Sequence, residues 1–187
     1  MSKSPQGAPS VNLLAVDTAT EGCSAACLAG DKSFERYAVD PQGHSRTLLG
    51  MVEAVLAEAR LERSALDALA YDAGPGSFTG IRIGAGVAQG LALGLEKPLL
   101  AVSSLMTLAE GARREQPGCN SVLAAIDARM DQVYWARLES DPEAPGHWRW
   151  DEMPCVSEPR EVAVHISGCT GVGSGWDRYS DVFMGDR

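Results

Sequence analysis

The first stretch with a clear pattern is "VNLLAVDTA" (11–19), an apolar run that turns polar at Asp17, as a buried strand ending in a turn does. After a break at Gly22, "CSAACLAG" is a second apolar run. A Gly30-Asp31 turn then leads into "DKSFERYAVD", and three short strands with tight turns predict an antiparallel meander. Pro41 and Gly43 end it.

"HSRTLLGMVEAVLAEARL" predicts a helix, because Leu48, Leu49, Val52, Val55, Leu56 and Ala59 recur at spacings of three and four. Ser45 is its expected N-cap. "ERSALDALAYDAG" predicts a helical turn and a buried strand ending at Gly74. A second long helix is expected from Thr79 to Leu95 despite Gly80, Gly84, Gly86, Gly90 and Gly94 inside it. Each interior glycine costs about 0.5–1 kcal/mol relative to alanine, so the stripe predicts a place where backbones approach closely. "KPLLAVSS" predicts a strand, and Ser103 or Ser104 caps a helix through Arg114.

The pattern then begins again. "LLAVDTATEGCSAACL" (13–28) aligns without gaps onto "LAAIDARMDQVYWARL" (123–138), placing Asp17 against Asp127 at an offset of 110. Such an internal repeat predicts two lobes of one topology. Their expected extents are 11–102 and 103–187, after a disordered leader or cloning remnant over 1–10 with no signal-peptide core. "ESDPEAPGHWRWDEMP" is expected to be a polar loop, and "AVHISGCTGVGSGW" a strand running into a glycine-rich turn. No closing helix or strand is expected after "WDRYSDVFMGDR".

Composition narrows the classes. A hydrophobic content of 45% with 22% charged residues is that of a globular protein. Lacking a run of about 18 apolar residues, the chain is expected not to span a membrane. Sixteen basic against 25 acidic residues give a net charge of −9, which disfavours direct nucleic-acid binding. Cys23, Cys27, Cys119, Cys155 and Cys169 form no CxxC pair, so neither structural zinc nor a disulfide framework is expected, and a reducing cytoplasm is.

The chemistry turns on two stretches. Asp17 and Thr18 in "DTAT" would either orient a magnesium-bound water or satisfy backbone donors at a strand end. Ala19 stands where a phosphate-wrapping turn wants glycine. "GPGSFTGIRIG" (74–84) lacks the lysine of a Walker A loop, and Thr79 takes the last glycine position of GxGxxG. Gly76, Ser77, Thr79, Gly80 and Arg82 would either hold an anion at a helix N-terminus or form a tight turn with Arg82 paired to a carboxylate. Ser77 is not followed by the glycine of a nucleophile elbow. His44 has Leu48 four residues on, so no metal pair forms there, and His165 is expected as a core residue in a strand. No catalytic residue and no metal ligand is assigned.

"AVDTATEGCSAACL", "GPGSFTGIRIG" with its small-residue helix, and "AAIDARMDQVYWARL", in that order, resemble the TsaB (YeaZ) family of tRNA threonylcarbamoyladenosine biosynthesis proteins, also labelled M22 or glycopeptidase homologues. The resemblance covers roughly 12–185 and implies an α/β, actin-like (ASKHA, ribonuclease H-like) duplicated fold of mixed sheets with flanking helices. It implies a non-catalytic cytoplasmic platform for the catalytic paralogue TsaD, which with the ATPase TsaE places threonylcarbamoyl on N6 of adenosine 37. Binding to tRNA would be indirect, through that complex, and no cofactor is required, although ATP or ADP would bind weakly at the partner interface. Alone, the family pairs as homodimers.

His44, Leu48, Leu49, Val52, Leu56, Ile83, Val87 and Leu91 are the expected partner surface. Family members run some forty residues longer, so the second lobe is expected to be truncated. The alternatives are an actin-like ATPase or sugar kinase, which predicts saturable Mg-ATP binding through Asp17 and the Gly74–Gly84 turn, and, more remotely, an M22-type peptidase.

Overall fold

The structure, a computed structural model, describes residues 11–39, 43–144, 146–162 and 165–185. The leader over 1–10 and the break at Pro41 lie outside the described residues. The chain forms two compact units, one from Met1–Ala73 with Phe78–Ala101, the other from Gly74–Ser77 with Val102–Arg187.

In the first unit β1 (Asn12–Asp17), β2 (Gly22–Ala29) and β3 (Lys32–Val39) form the expected antiparallel meander. β4 (Ala68–Asp72) runs parallel to β1, with Leu13 opposite Ala68, and β5 (Leu99–Val102) completes the order β3-β2-β1-β4-β5. The strand faces of Leu14, Val16, Cys23, Ala25, Cys27 and Leu69 make the core with Leu48, Val52, Val55 and Leu56 of α1 (His44–Ala59). Ala88 and Ala92 of α2 (Phe78–Leu95) close it.

Ser45 is not the cap of α1. The helix starts at His44, two residues earlier than a Ser45 cap would set it, with Gly43 at the N-cap position and its carbonyl accepting the Arg46 and Thr47 amides at 2.8 and 3.0 Å. At the other end Arg60 takes a left-handed φ of 53°, and the Leu61 amide returns to the Leu56 carbonyl at 3.0 Å.

The exclusion of a membrane-length apolar segment is also corrected, because α2 is by length and composition apolar enough to cross a bilayer. Phe78, two isoleucines, Val87 and three leucines give it that character, while five glycines and three alanines keep its other positions small. It is the connection from β4 to β5, and Gly80, Gly84, Ala88 and Ala92 form its buried edge.

In the second unit α3 (Ser104–Glu115) precedes β6 (Ser121–Arg129) and β7 (Gln132–Ser140), which pair antiparallel. β8 (Trp148–Ser157), the short α4 (Pro159–Val162), β9 (Thr170–Val172) and α5 (Ser174–Met184) follow. The sheet order is β8-β7-β6-β9, with β9 parallel to β6. Hairpin plus parallel strand thus recurs as the repeat predicts, and the fold is the expected duplicated actin-like α/β one. The offset of 110 would put Ala124 opposite Arg137, since Leu14 faces Cys27; instead Ala124 faces Ala136. A tighter turn, with Arg129, Met130 and Asp131 all at positive φ, and a bulge between Asp127 and Arg129 account for that slip of one.

Two expectations fail here. The polar loop expected over 139–154 is in part β8: Trp148 and Trp150 pack on the core while Arg149 and Asp151 point away, a period of two hidden by charge. His165 is in no strand; it is half-buried, bonded through Nδ1 to Glu152 Oε1 at 3.2 Å and set against the Trp135 ring with centroids 4.8 Å apart. Ala163 and Val164, the start of that expected strand, lie outside the described residues. The stretch "SGWDRYSDVFM", to which the sequence reading gave no helix, is α5, held by Phe183 and Trp176 packing in a small core with Leu123, Ala125 and Val133.

Candidate functional site

The "DTAT" turn joins β1 to β2 and is folded onto α2. Asp17 Oδ1 accepts the Ala19 amide at 2.8 Å, the local bond that shapes the turn. Thr18, 1% exposed, donates its hydroxyl to the Gly80 carbonyl at 2.7 Å. A Cβ on Gly84 would stand 2.6 Å from Thr18 Oγ1, so one of the helix glycines is there because the turn leaves no room for a side chain. Ala19 is buried beside them. Thr18 is therefore spent on the backbone of α2, and one oxygen of Asp17 on the hairpin's own backbone.

Burial pushes the Asp17 carboxyl above its ordinary value, while the Ala19 amide and the neighbouring His44 pull it down. His44 itself is buried and its Nε2 donates to the Glu21 carbonyl at 3.3 Å. Gly76 and Ser77 fall in the Gly74–Ser77 segment of the second unit. Thr79 sits exposed within the first turn of α2, since the helix already begins at Phe78. Among the described residues Arg82 is paired with no carboxylate, contrary to its second reading. Its Nη1 donates to the Phe78 carbonyl at 3.0 Å and its guanidinium carbon lies 3.3 Å from the centroid of the Phe78 ring.

The matching aspartate of the second unit is occupied in the same manner. Asp127 Oδ1 accepts the Arg129 amide at 3.0 Å, Oδ2 takes Arg178 Nη1 at 2.9 Å, and its amide donates to Ser174 Oγ at 3.1 Å. Among the described residues no three His, Cys, Asp or Glu side chains are grouped to hold a metal ion.

The second unit also carries an open cleft of about 580 Å³ with Met106, Glu110, Arg114, His147 and Trp148 along its walls. Glu110 ties α3 to β8, taking Arg113 at 2.6 and 2.8 Å, Arg114 at 3.1 Å and Trp148 Nε1 at 3.2 Å. The Arg113 bond, helped by Arg114 and Trp148, holds its carboxyl down at about 2.

The surface of α2 was only partly foreseen. Of the expected partner residues, His44, Leu48, Val52 and Leu56 are 0–4% exposed. They face the sheet and belong to the unit's own core, so they present nothing outward. Leu49 is 48% exposed, and Ile83, Val87 and Leu91 are half-buried along the edge of the core. What the sequence reading missed is the outer face. Among the described residues nothing lies within 4 Å of where a Cβ on Gly86, Gly90 or Gly94 would be, and Leu93 is 82% and Phe78 73% exposed beside them. The signal was present as glycines four apart, one ridge of a helix.

The fold and these turns define a duplicated actin-like α/β protein whose two hairpin aspartates are bonded within their own lobes, and whose most apolar helix lies open along one face. Residues 39–144 match the family model described as TsaD, tRNA N6-adenosine threonylcarbamoyltransferase. The chain is 43% identical over 176 residues to the tRNA threonylcarbamoyladenosine biosynthesis protein TsaB of Escherichia coli, covering 92% of this chain and 75% of that protein. TsaB of Haemophilus influenzae is 38% identical over 91% of this chain and 75% of its own. The solved structure of YeaZ from Pseudomonas aeruginosa superposes with a TM-score of 0.84 at 45% identity, over 95% of this chain and 81% of that one. The chain belongs to the TsaB (YeaZ) family.

Proposed function

We propose that this chain acts in tRNA threonylcarbamoyladenosine biosynthesis as a non-catalytic platform, and that the outer face of α2 receives the catalytic paralogue TsaD. One observation carries the reading. Gly86, Gly90 and Gly94 lie along an exposed helix ridge with no neighbour among the described residues, although each costs helix stability. A flat ridge of this kind lets a second helix approach at close range, as small-residue stripes do between helices elsewhere.

The platform role is supported by how the hairpins are used. Thr18 is bonded to Gly80 and Asp127 to Arg178, so the groups that would wrap a phosphate serve the fold. The net charge of −9 suits a subunit that meets tRNA only through its complex. On this reading TsaE joins the same assembly in the cytoplasm, the chain alone forms a homodimer through the same face, and it needs no cofactor of its own. Any ATP or ADP is held weakly where the partner completes a site.

The test is threonylcarbamoyladenosine formation on tRNA by purified TsaD and TsaE, with and without this chain. Product that requires the chain and survives Asp17→Ala supports the reading. Product that forms equally without it, or is lost with Asp17→Ala in a folded chain, overturns it in favour of an active ATPase.

A further inference from the structure

Glu110 of α3 has no lone pair to spare. Its Oε1 accepts Arg113 Nη2 at 2.6 Å and Arg114 Nε at 3.1 Å, and its Oε2 accepts Arg113 Nε at 2.8 Å and Trp148 Nε1 at 3.2 Å. Two guanidinium charges against one carboxylate leave this corner of an acidic chain with a surplus positive charge. The surplus sits at Arg114, which is 76% exposed and whose Nη1 and Nη2 have no partner among the described residues. The bond from Nε1 also fixes the Trp148 indole, so its ring is a set wall of the 580 Å³ cleft and not a side chain free to fill it.

Met106 adds an apolar wall, and Gly111 keeps the middle of α3 open. Among the described residues nothing lies within 4 Å of where a Gly111 Cβ would be, so an interior glycine that costs helix stability answers no contact there. His147 stands exposed on the rim. All of these residues belong to the second unit. We infer that the cleft binds a small planar aromatic carboxylate, its ring laid against Trp148 in the space Gly111 leaves, and its carboxylate taken by Nη1 and Nη2 of Arg114 with His147 as a further donor. The volume is that of a small-ligand site, about 300–1,000 Å³. A flat ring uses the indole face, and the guanidinium edge matches the two carboxylate oxygens. One surplus positive charge suits a monoanion. The second charge of a phosphate ester would be set against Glu110, which stays ionised because its carboxyl is held down at about 2. The inference is independent of the role given to α2.

The probe is 2-naphthoate, titrated into the full chain to about 10 mM while the tryptophan indole N–H signals are followed by NMR, with Trp148→Phe identifying the Trp148 signal. The Trp148 signal is expected to shift saturably with a Kd of about 1 mM or below, the range open to a ligand of this size. The neutral amide 2-naphthamide and the non-planar cyclohexanecarboxylate should each bind about tenfold more weakly or worse. Arg114→Gln should cost naphthoate a similar factor, and Arg114→Lys, which keeps the charge without the fork, should recover little of it. Gly111→Leu should abolish binding by filling the cleft. Arg114 and Gly111 are both exposed, so these variants are expected to fold, and melting checks it. Naphthamide binding as tightly as naphthoate, Arg114→Gln or Gly111→Leu binding as the parent does, or no saturable shift at Trp148 would each overturn the site. AMP binding more tightly than naphthoate at the same signal would overturn the carboxylate class in favour of a phosphate ester.

Discussion

Thr18 and Gly84 touch so closely that the helix position has room for no side chain: a Cβ there would meet Thr18 Oγ1 at 2.6 Å. The same hydroxyl is bonded to the Gly80 carbonyl at 2.7 Å, so it cannot swing aside without leaving a buried donor unpaired. One threonine thereby fixes the first hairpin on α2 and decides where glycine is obligatory.

Gly84→Ala should destabilise the protein by roughly 1–3 kcal/mol through overpacking against a fixed hydroxyl. Gly90→Ala, with open space beside it, should stabilise by about 0.5–1 kcal/mol because it only removes the helix cost of glycine. Paired urea melts read the contrast, and equal effects would mean that the Thr18 contact does not control the helix.

Asp17 is held above its ordinary 3.8 chiefly by burial. A raised carboxyl favours the folded state while protonated, and that advantage is lost as pH rises from 3.8 through the raised value. Near neutral pH the ionised group is therefore a cost. Asp17→Asn keeps an oxygen for the Ala19 amide, so thermal melts at pH 7 should show a more stable variant. The gain should shrink toward pH 4. A less stable variant at pH 7 would show that the charge is compensated by more than His44.

Glu110 behaves in the opposite sense. Its folded value near 2 lies below the ordinary 4.5, so its stabilisation is complete above 4.5 and disappears as pH falls toward 2. Glu110→Gln should be less stable than the parent at pH 7, with the difference closing over that acid range. A difference independent of pH would place the effect in packing with Trp148 and not in the carboxylate.

Much of the fold could be read from the chain because its signals are local. β1 and β2 are legible as apolar runs and α1 as a stripe at spacings of three and four, each within a single segment, and the duplication as an ungapped match that sets Asp17 against Asp127. β8 was missed because its outward positions, Arg149, Asp151 and Glu152, carry the charge that marks loops, while only Trp148 and Trp150 record the buried face. The partner stripe on α1 was misassigned because periodicity shows that Leu48, Val52 and Leu56 share a face, not which body covers it. Their own sheet does. For the glycines the two causes were mixed in one sequence pattern. Gly84 answers a contact within the chain, whereas Gly86, Gly90 and Gly94 meet nothing among the described residues.

That last contrast gives the most direct test. Binding of TsaD to the parent chain and to Gly90→Leu is measured by calorimetry, with melting temperatures taken on the same samples. The account predicts that Gly90→Leu melts at or above the parent temperature and binds TsaD at least about tenfold more weakly, since a leucine on the ridge holds the partner helix away. A variant that melts normally and binds TsaD as the parent does would contradict the assignment of α2 as the platform's working face.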